Sequence, residues 1–323
     1  MCTSISFLTK NHYFGRNLDM EFSYGERVII TPRKYQLKFR MAKEIKEHFA
    51  IIGMGIVEDD YPLYYDATNE KGLSMAGLNF PVSTVYYEKV KDKNNIGAFE
   101  LIPCILGQCA SVNEARDLLM NTNIVDLDFN EKYKTTPLHW MISDKDYSIT
   151  LECVQEGMQI YYNPVHILTN NPEFPMQIFN LNNYINLTRE EPETRFAEGF
   201  DLNKYSKGMG ALGLPGDLSS MSRFVRASFT RLNSICGDSE SESISQFFHI
   251  LDSVSQTQGC VRTENGFETT IYSSCCNTDK GIYYYTTYEN SQISAVKLHN
   301  ENLDKKDLIT YNLNTEQQIK YHN

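Results

Sequence analysis

The hydrophobic pattern of residues 1–80 changes every few positions. CTSISFL alternates polar and apolar side chains, the period of a strand with one buried face. RVIITP, FAIIGMGIV, PLYYDAT and GLSMAGLNF follow at close spacing, parted by Gly, Pro, Asp and Asn, and predict strands joined by hairpins into an antiparallel sheet. FAIIGMGIV is apolar almost throughout, so its place is the middle of that sheet. The spacing then turns helical. ELIPCILGQCA predicts a buried helix, and Ser111 with Glu114 has capping-box spacing ahead of EARDLLM. LHWMISD, SITLECV, MQIYY and VHILTN predict further strands, QIFNLNNYINL a helix, and 199–217, with GMGALGLPGD, a loop. Two amphipathic helices come next. Met221, Val225, Phe229 and Leu232 share one face of the first; Ile244, Phe247, Phe248, Leu251 and Val254 form the stripe of the second. Strands around IYYYTTY and ISAVKL close the chain.

Strands, helices, strands, helices, strands is not the regular alternation of a parallel doubly wound fold. It predicts an α+β architecture with two antiparallel sheets covered by helix layers. No repeat, linker or low-complexity tract interrupts it, so residues 1–323 are read as one domain.

Composition sharpens this in three ways. With 41% apolar and 22% charged residues the chain should be globular throughout. Its 21 tyrosines against one tryptophan suit sheets and a wet cleft. A formal charge of -11 without a basic run argues against nucleic acid and for small molecules or other chains as partners. Lys10, Asn11, His12, Arg16 and Asp19 break up any secretory apolar run near the start, and no stretch has the ~20 apolar residues of a membrane span. The expectation is a cytoplasmic protein without membrane attachment.

Eight cysteines stand at 2, 104, 109, 153, 236, 260, 275 and 276, none in a CxxC pair, which argues against structural zinc. In a reducing compartment most should be buried thiols, and the apolar surroundings of Cys104, Cys109 and Cys153 fit that. Cys2, with no apolar segment before it, is the one that burial explains least. Removal of Met1, favoured by the small residue behind it, would put a thiol and an α-amine on one carbon. An α-amine has an ordinary pKa of about 7.7–8.0, so it can take the thiol proton without a histidine.

Such a site also needs a cation beside the thiol, a carboxylate for the amine and donors for an oxyanion. A hairpin of 2–8 with 12–19 would carry Arg16 towards the thiol and Asp19 towards the amine, although the spacing by itself points first to a surface salt bridge on a strand. Asn79, Asn170 and Asn171 end predicted strands, as ordinary turn residues do. Either strand end could instead donate to an oxyanion. Arg223 falls near the start of a helix, where the macrodipole disfavours a cation. An anionic partner, or a salt bridge to Asp217, would account for it.

These residues sit in motifs that together resemble one family: MCTSI, FGRNLDMEFSYGE, VIITPR, DDYPLYYDATNEKGLSMAGLNFP, LHWMISD, ILTNNPEF, GLPGDLSSMSRFVRASF, QFFHIL and GIYYYTTYEN. In this order they resemble the conjugated bile salt hydrolases, within the choloylglycine hydrolase and penicillin V acylase group of N-terminal-nucleophile hydrolases, over nearly the whole chain. The resemblance implies a four-layer αββα sandwich. It implies Cys2 as nucleophile, Arg16 beside the thiol, Asp19 holding the amine, Asn170 and the backbone of Asn79 at the oxyanion, and Arg223 as the remaining site arginine. The substrates implied are conjugated bile salts of the glycocholate and taurocholate type, cleaved through a thioester without metal or organic cofactor. Met20, Asn79, Phe129 and Leu138 are the candidate substrate contacts, and a homotetramer is the implied assembly. Penicillin V acylases of the group tend to carry tyrosine where Asn79 stands, so Asn79 points to the bile-salt branch. The rivals are a penicillin V acylase or related N-acyl amidase, a non-catalytic steroid or lipid binder on the same fold, and a cysteine redox sensor.

Overall fold

The computed structural model describes residues 1–323. Chain order runs β1 (Cys2–Leu8), β2 (His12–Met20), β3 (Arg27–Thr31), β4 (Ile51–Glu58), β5 (Tyr61–Asn69), β6 (Ser74–Asn79), β7 (Asn94–Gly97), α1 (Leu101–Gln108), α2 (Val112–Met120) and β8 (Thr122–Val125). It continues with β9 (Leu138–Ser143), β10 (Ser148–Val154), β11 (Gly157–Tyr162), β12 (Ile167–Leu168), α3 (Phe174–Asn180), α4 (Ser220–Asn233), α5 (Glu240–Asp252), β13 (Thr269–Asn277), β14 (Ile282–Thr287), β15 (Ser294–Lys297) and β16 (Ile309–Asn312).

The strands form a six-stranded sheet, β12-β1-β2-β13-β14-β15, and an eight-stranded sheet, β11-β10-β9-β6-β5-β4-β3-β16, with β7 and β8 as a separate parallel pair. Every pairing in the two large sheets is antiparallel. The sheets face each other through β1 and β2 against β5 and β6. Helix α1 covers β4, β5 and β6 from outside; α4 and α5 cover β1, β2, β12 and β13. The result is the expected αββα sandwich. FAIIGMGIV, as β4, lies inside the eight-stranded sheet.

Ser111 caps α2 by accepting from the Glu114 amide. The stripe Ile244, Phe247, Phe248, Leu251 and Val254 is buried in the core between α5 and the six-stranded sheet. Three expectations need correction. VHILTN keeps only two residues of strand, because Thr169 and Asn170 turn away to serve side chains. QIFNLNNYINL is helical only to Tyr184, as the end of α3 and a 3-10 turn. Helix α4 buries Arg223, Phe224, Val225, Ala227 and Ser228 and exposes Leu232. A buried arginine, not the apolar stripe, fixes how that helix is rotated. No apolar run announced β13, whose TTIYSSCCN carries its polar side chains into the interior.

Buried His12 is held as a neutral ring by hydroxyls, with Ser6 Oγ 2.8 Å from Nε2 and Thr278 Oγ1 2.9 Å from Nδ1. Burial lowers its pKa from the ordinary 6.5 to about 4, against the opposing pull of Asp144 and Asp279. Between those pH values the unfolded chain binds a proton that the folded one refuses. The stability due to this group is therefore complete above pH 6.5 and is lost as pH falls towards 4, by up to about 3 kcal/mol. Denaturant titrations across that range should show the loss, and His12→Gln should flatten it; an unchanged slope in the variant would exclude His12 as the source.

Candidate active site

The site is assembled by register. On β1 and β2, Cys2 lies opposite Leu18 and Ser4 opposite Arg16. One step further Met1 meets Asp19, and both backbone bonds form: Met1 N donates to Asp19 O at 2.7 Å, and Asp19 N to Met1 O at 2.9 Å. Side chains directly across a sheet share a face, and neighbours along a strand alternate. Cys2 and Arg16 thus face the eight-stranded sheet, while Thr3 and Asp19 face the helices. This rules out the surface salt bridge between Arg16 and Asp19: both are about 1% exposed, and they point to opposite sides.

On the sheet side, Arg16 Nη1 donates to Tyr65 O at 3.0 Å and to Gly77 O at 2.5 Å, its Nε to Asn17 O at 3.3 Å, and its Nη2 is buried without a partner. Burial works against its charge, but the Cys2 thiol, Tyr272, Asp66 and Asp19 together raise its pKa. Gly15, just before it, lets β13 come close; a Cβ there would stand 2.0 Å from Ser274 O. Asp66 receives hydroxyls of Tyr272 and Tyr283 at 2.6 Å and of Ser274 at 3.1 Å. Ser274 Oγ in turn accepts from the Arg16 amide at 3.1 Å.

On the helix side, Thr270 Oγ1 donates to Asp19 Oδ1 at 2.6 Å. The pairing of β13 with β2 shifts register between Thr270 and Tyr272. The bulge re-aims the side chains, so Thr270 reaches Asp19 on one face and Tyr272 reaches Asp66 on the other. Asp19 Oδ2 is buried without a hydrogen bond, 4.0 Å from Arg223 Nη1. Burial raises the Asp19 pKa, and Arg223, the N-terminal amine and Thr270 offset part of that.

Arg223 is fully buried, and burial lowers its pKa. Its Nη1 donates to Cys2 O and Thr3 Oγ1, both at 2.6 Å, Nη2 to Asn170 Oδ1 at 2.7 Å, and Nε to Leu218 O at 3.0 Å. Asp217 instead binds Ser219 N and Ser222 Oγ, so the alternative salt bridge does not form. Asn170 arrives by register too: β12 pairs Leu168 with Ser4, and two residues on Asn170 draws level with Cys2. Its Oδ1 accepts the Cys2 amide at 2.8 Å, and its Nδ2 donates to Asn79 O at 2.7 Å. Ser220 and Gln177 hold its own backbone N and O, at 2.8 and 2.9 Å.

Five of the six candidates therefore converge through side chains, and Asn79 through its backbone; its own side chain is exposed. Cys2 is 4% exposed with Met1 in place, so burial accounts for it after all. The Met1 amine pairs with Glu268 and its pKa is lowered, chiefly by burial. Among the substrate candidates, Leu138 is the cross-strand partner of Asn79 and is half-buried, as is Met20 at the end of β2. Phe129 is buried with Ile56, Tyr61 and Leu63, under half-buried Tyr65 and Tyr133. Asn171 donates to Ser83 Oγ and takes no part. Thr3, Thr270, Ser220, Gln177 and Asp66 were not foreseen; of these only Thr3 lies in a short motif around the cysteine. No three His, Cys, Asp or Glu side chains are placed to hold a metal ion, and no helix is long and apolar enough to cross a membrane.

Comparison with known proteins adds a family. A model described as linear amide C-N hydrolases, choloylglycine hydrolase family, matches residues 2–311. The chain is 55% identical over 319 residues to the bile salt hydrolase/transferase of Lactiplantibacillus plantarum, covering 98% of each. It superposes on a solved mutant conjugated bile acid hydrolase from Clostridium perfringens with a TM-score of 0.93 and 40% identity, covering 100% of both. Penicillin V acylase from Agrobacterium tumefaciens shares the fold, with a TM-score of 0.74 at 20% identity over 96% of this chain and 90% of that one.

Arg223→Met would remove the largest charge that offsets the burial of the Asp19 carboxylate. The expected cost is about 3–5 kcal/mol, read as a lower denaturant midpoint; a variant as stable as the parent would show that the Asp19–Arg223 pairing is not structural.

Proposed function

This chain belongs to the choloylglycine hydrolase family of linear amide C-N hydrolases, and we propose that it cleaves glycine- and taurine-conjugated bile acids with Cys2 as nucleophile after loss of Met1. The observation that carries this is a pair of orphans. Arg16 Nη2 and Asp19 Oδ2 are buried without hydrogen bonds on the two faces of the strand pair that holds Cys2. Unpartnered buried polar groups are costly and call for an explanation, and beside a cysteine a reacting charge is one. A thiolate at Cys2 would answer the first, and an α-amine at Cys2, freed of Met1, the second.

In this reading the Cys2 amine takes the thiol proton, and burial of the kind that lowers the Met1 amine's pKa keeps it a neutral base. The thiolate attacks the amide carbonyl beside Arg16. The oxyanion is met by Asn170, whose Nδ2 has one N–H on Asn79 O and the other free. The ammonium returns its proton to the nitrogen of the departing glycine or taurine. A water molecule, deprotonated by the same amine, then opens the thioester and restores the thiol. Arg223 holds the charge of Asp19 and the carbonyl of Cys2 in place. Met20 and Leu138 border the steroid, together with the exposed rings of Phe22 and Tyr24 that follow β2, while Phe129 supports Tyr133 from behind.

A homotetramer is supported by the run of exposed apolar side chains from the end of α3 to α4, including Phe179, Ile185, Phe196, Phe200 and Tyr205.

Cys2→Ser should lose at least about a thousandfold in amide hydrolysis while still binding the steroid; an active serine variant would refute the nucleophile. Glycocholate and taurocholate should be turned over faster than penicillin V, and the reverse order would favour the acylase. In native mass spectrometry the parent should fly as a tetramer, and Phe196→Asp with Phe200→Asp should dissociate it; a monomeric parent would exclude the assembly.

A further inference from the structure

We propose that His139 and Glu152 form a buried dyad that positions the two oxyanion elements of the site relative to each other, a role that rests on the cysteine amidase reading. Neither residue touches Cys2, and neither is part of the machinery described above. Both are 0% exposed.

The dyad follows from strand register. On β9, His139 pairs with Leu78 and its neighbour Leu138 with Asn79. On β10, Leu151 pairs with Trp140, so the next residue, Glu152, comes level with His139. The imidazole Nδ1 lies 3.0 Å from Glu152 Oε1, and Nε2 lies 2.8 Å from Thr169 O. Nε2 donates to the Thr169 carbonyl, and Nδ1 shares a hydrogen bond with the Glu152 carboxyl group. The carboxylate of Glu152 is engaged again by the Phe174 amide, at 3.0 Å to Oε1 and 3.2 Å to Oε2.

Thr169 and Phe174 are the two ends of the segment that carries Asn170. One hydrogen-bonded pair therefore clamps both ends. The same ring lies parallel to Phe80, with centroids 4.2 Å apart and planes 8° apart. Phe80 follows Asn79, whose carbonyl receives Asn170 Nδ2. His139 is thus the single side chain that grips the Asn170 segment by hydrogen bond and the Asn79 strand end by stacking. A buried polar pair is no efficient source of stability, since an apolar replacement of similar shape often does as well. A fixed placement of the Asn170 carboxamide against the Asn79 strand end is what it supplies here, and an error of about 1 Å in such a placement can cost about a hundredfold in rate.

His139→Phe keeps the ring on Phe80 and deletes both hydrogen bonds. It should lower kcat for glycocholate by about a hundredfold with KM within about threefold. Alkylation of Cys2 by iodoacetamide, which forms no oxyanion, should stay within about twofold of the parent. Glu152→Gln should restore most of the rate relative to Glu152→Ala, because its amide can donate to a neutral His139 and still accept from Phe174. A His139→Phe enzyme with parental kcat would overturn the proposal, as would an equal loss in hydrolysis and alkylation. Should the parent protein hydrolyse no amide, the amidase reading falls by itself. The dyad is then judged, as it also is if the variants fail to fold, by the nitrogen-15 spectrum of the parent: a proton on Nε2 of His139, donated to the Thr169 carbonyl, is expected, and a bare Nε2 would overturn it.

Discussion

A guanidinium buried to the last atom governs how this molecule closes. Arg223 carries a charge into the interior, where its donors need acceptors. It finds them on the backbone of Cys2, the hydroxyl of Thr3, the carboxamide of Asn170 and the carbonyl of Leu218, with the Asp19 carboxylate beside it. Those groups come from the first strand, the end of β12, the turn before α4 and the second strand. None can move without stranding the charge. The convergence of the chain start, a strand end and a helix start is the condition under which this arginine can be buried at all.

The two-residue period of a strand then divides the labour. Arg16 and Asp19 are three positions apart and lie on opposite faces of β2. One face meets the partner sheet, where Arg16 rests on strand carbonyls and its remaining amino group is left open. The other meets α4, where Asp19 has Thr270 on one oxygen and an open second oxygen. A thiol and an amine on the same residue can each reach the side that suits it. The bulge in β13 extends the division by sending Thr270 and Tyr272 to different faces.

Much of this was legible in the chain. Alternation marked β1, a hairpin carrying Arg16 and Asp19 past Cys2 could be drawn from it as a supposition, and element order argued against a parallel doubly wound fold. The burial of those residues was not legible, because a strand with polar residues at Asn17, Asp19 and Arg16 looks solvated until both of its faces are covered. The rotation of α4 was misjudged for the same reason: Met221, Val225, Phe229 and Leu232 look like the inward stripe only if arginine is assumed to face water. Thr270, Asp66 and the His139–Glu152 pair act through contacts between residues far apart in sequence, and no local spacing encodes them. The motifs as an ordered set carried what single positions did not, including Asn170 and Arg223.

The central claim is that loss of one residue creates the nucleophile and its base together. Intact-mass measurement of the purified protein, quenched in acid shortly after mixing with glycocholate, tests it most directly. The account predicts a chain without Met1 that transiently carries one cholyl group on Cys2. A chain that retains Met1 and still hydrolyses glycocholate at full rate would contradict it.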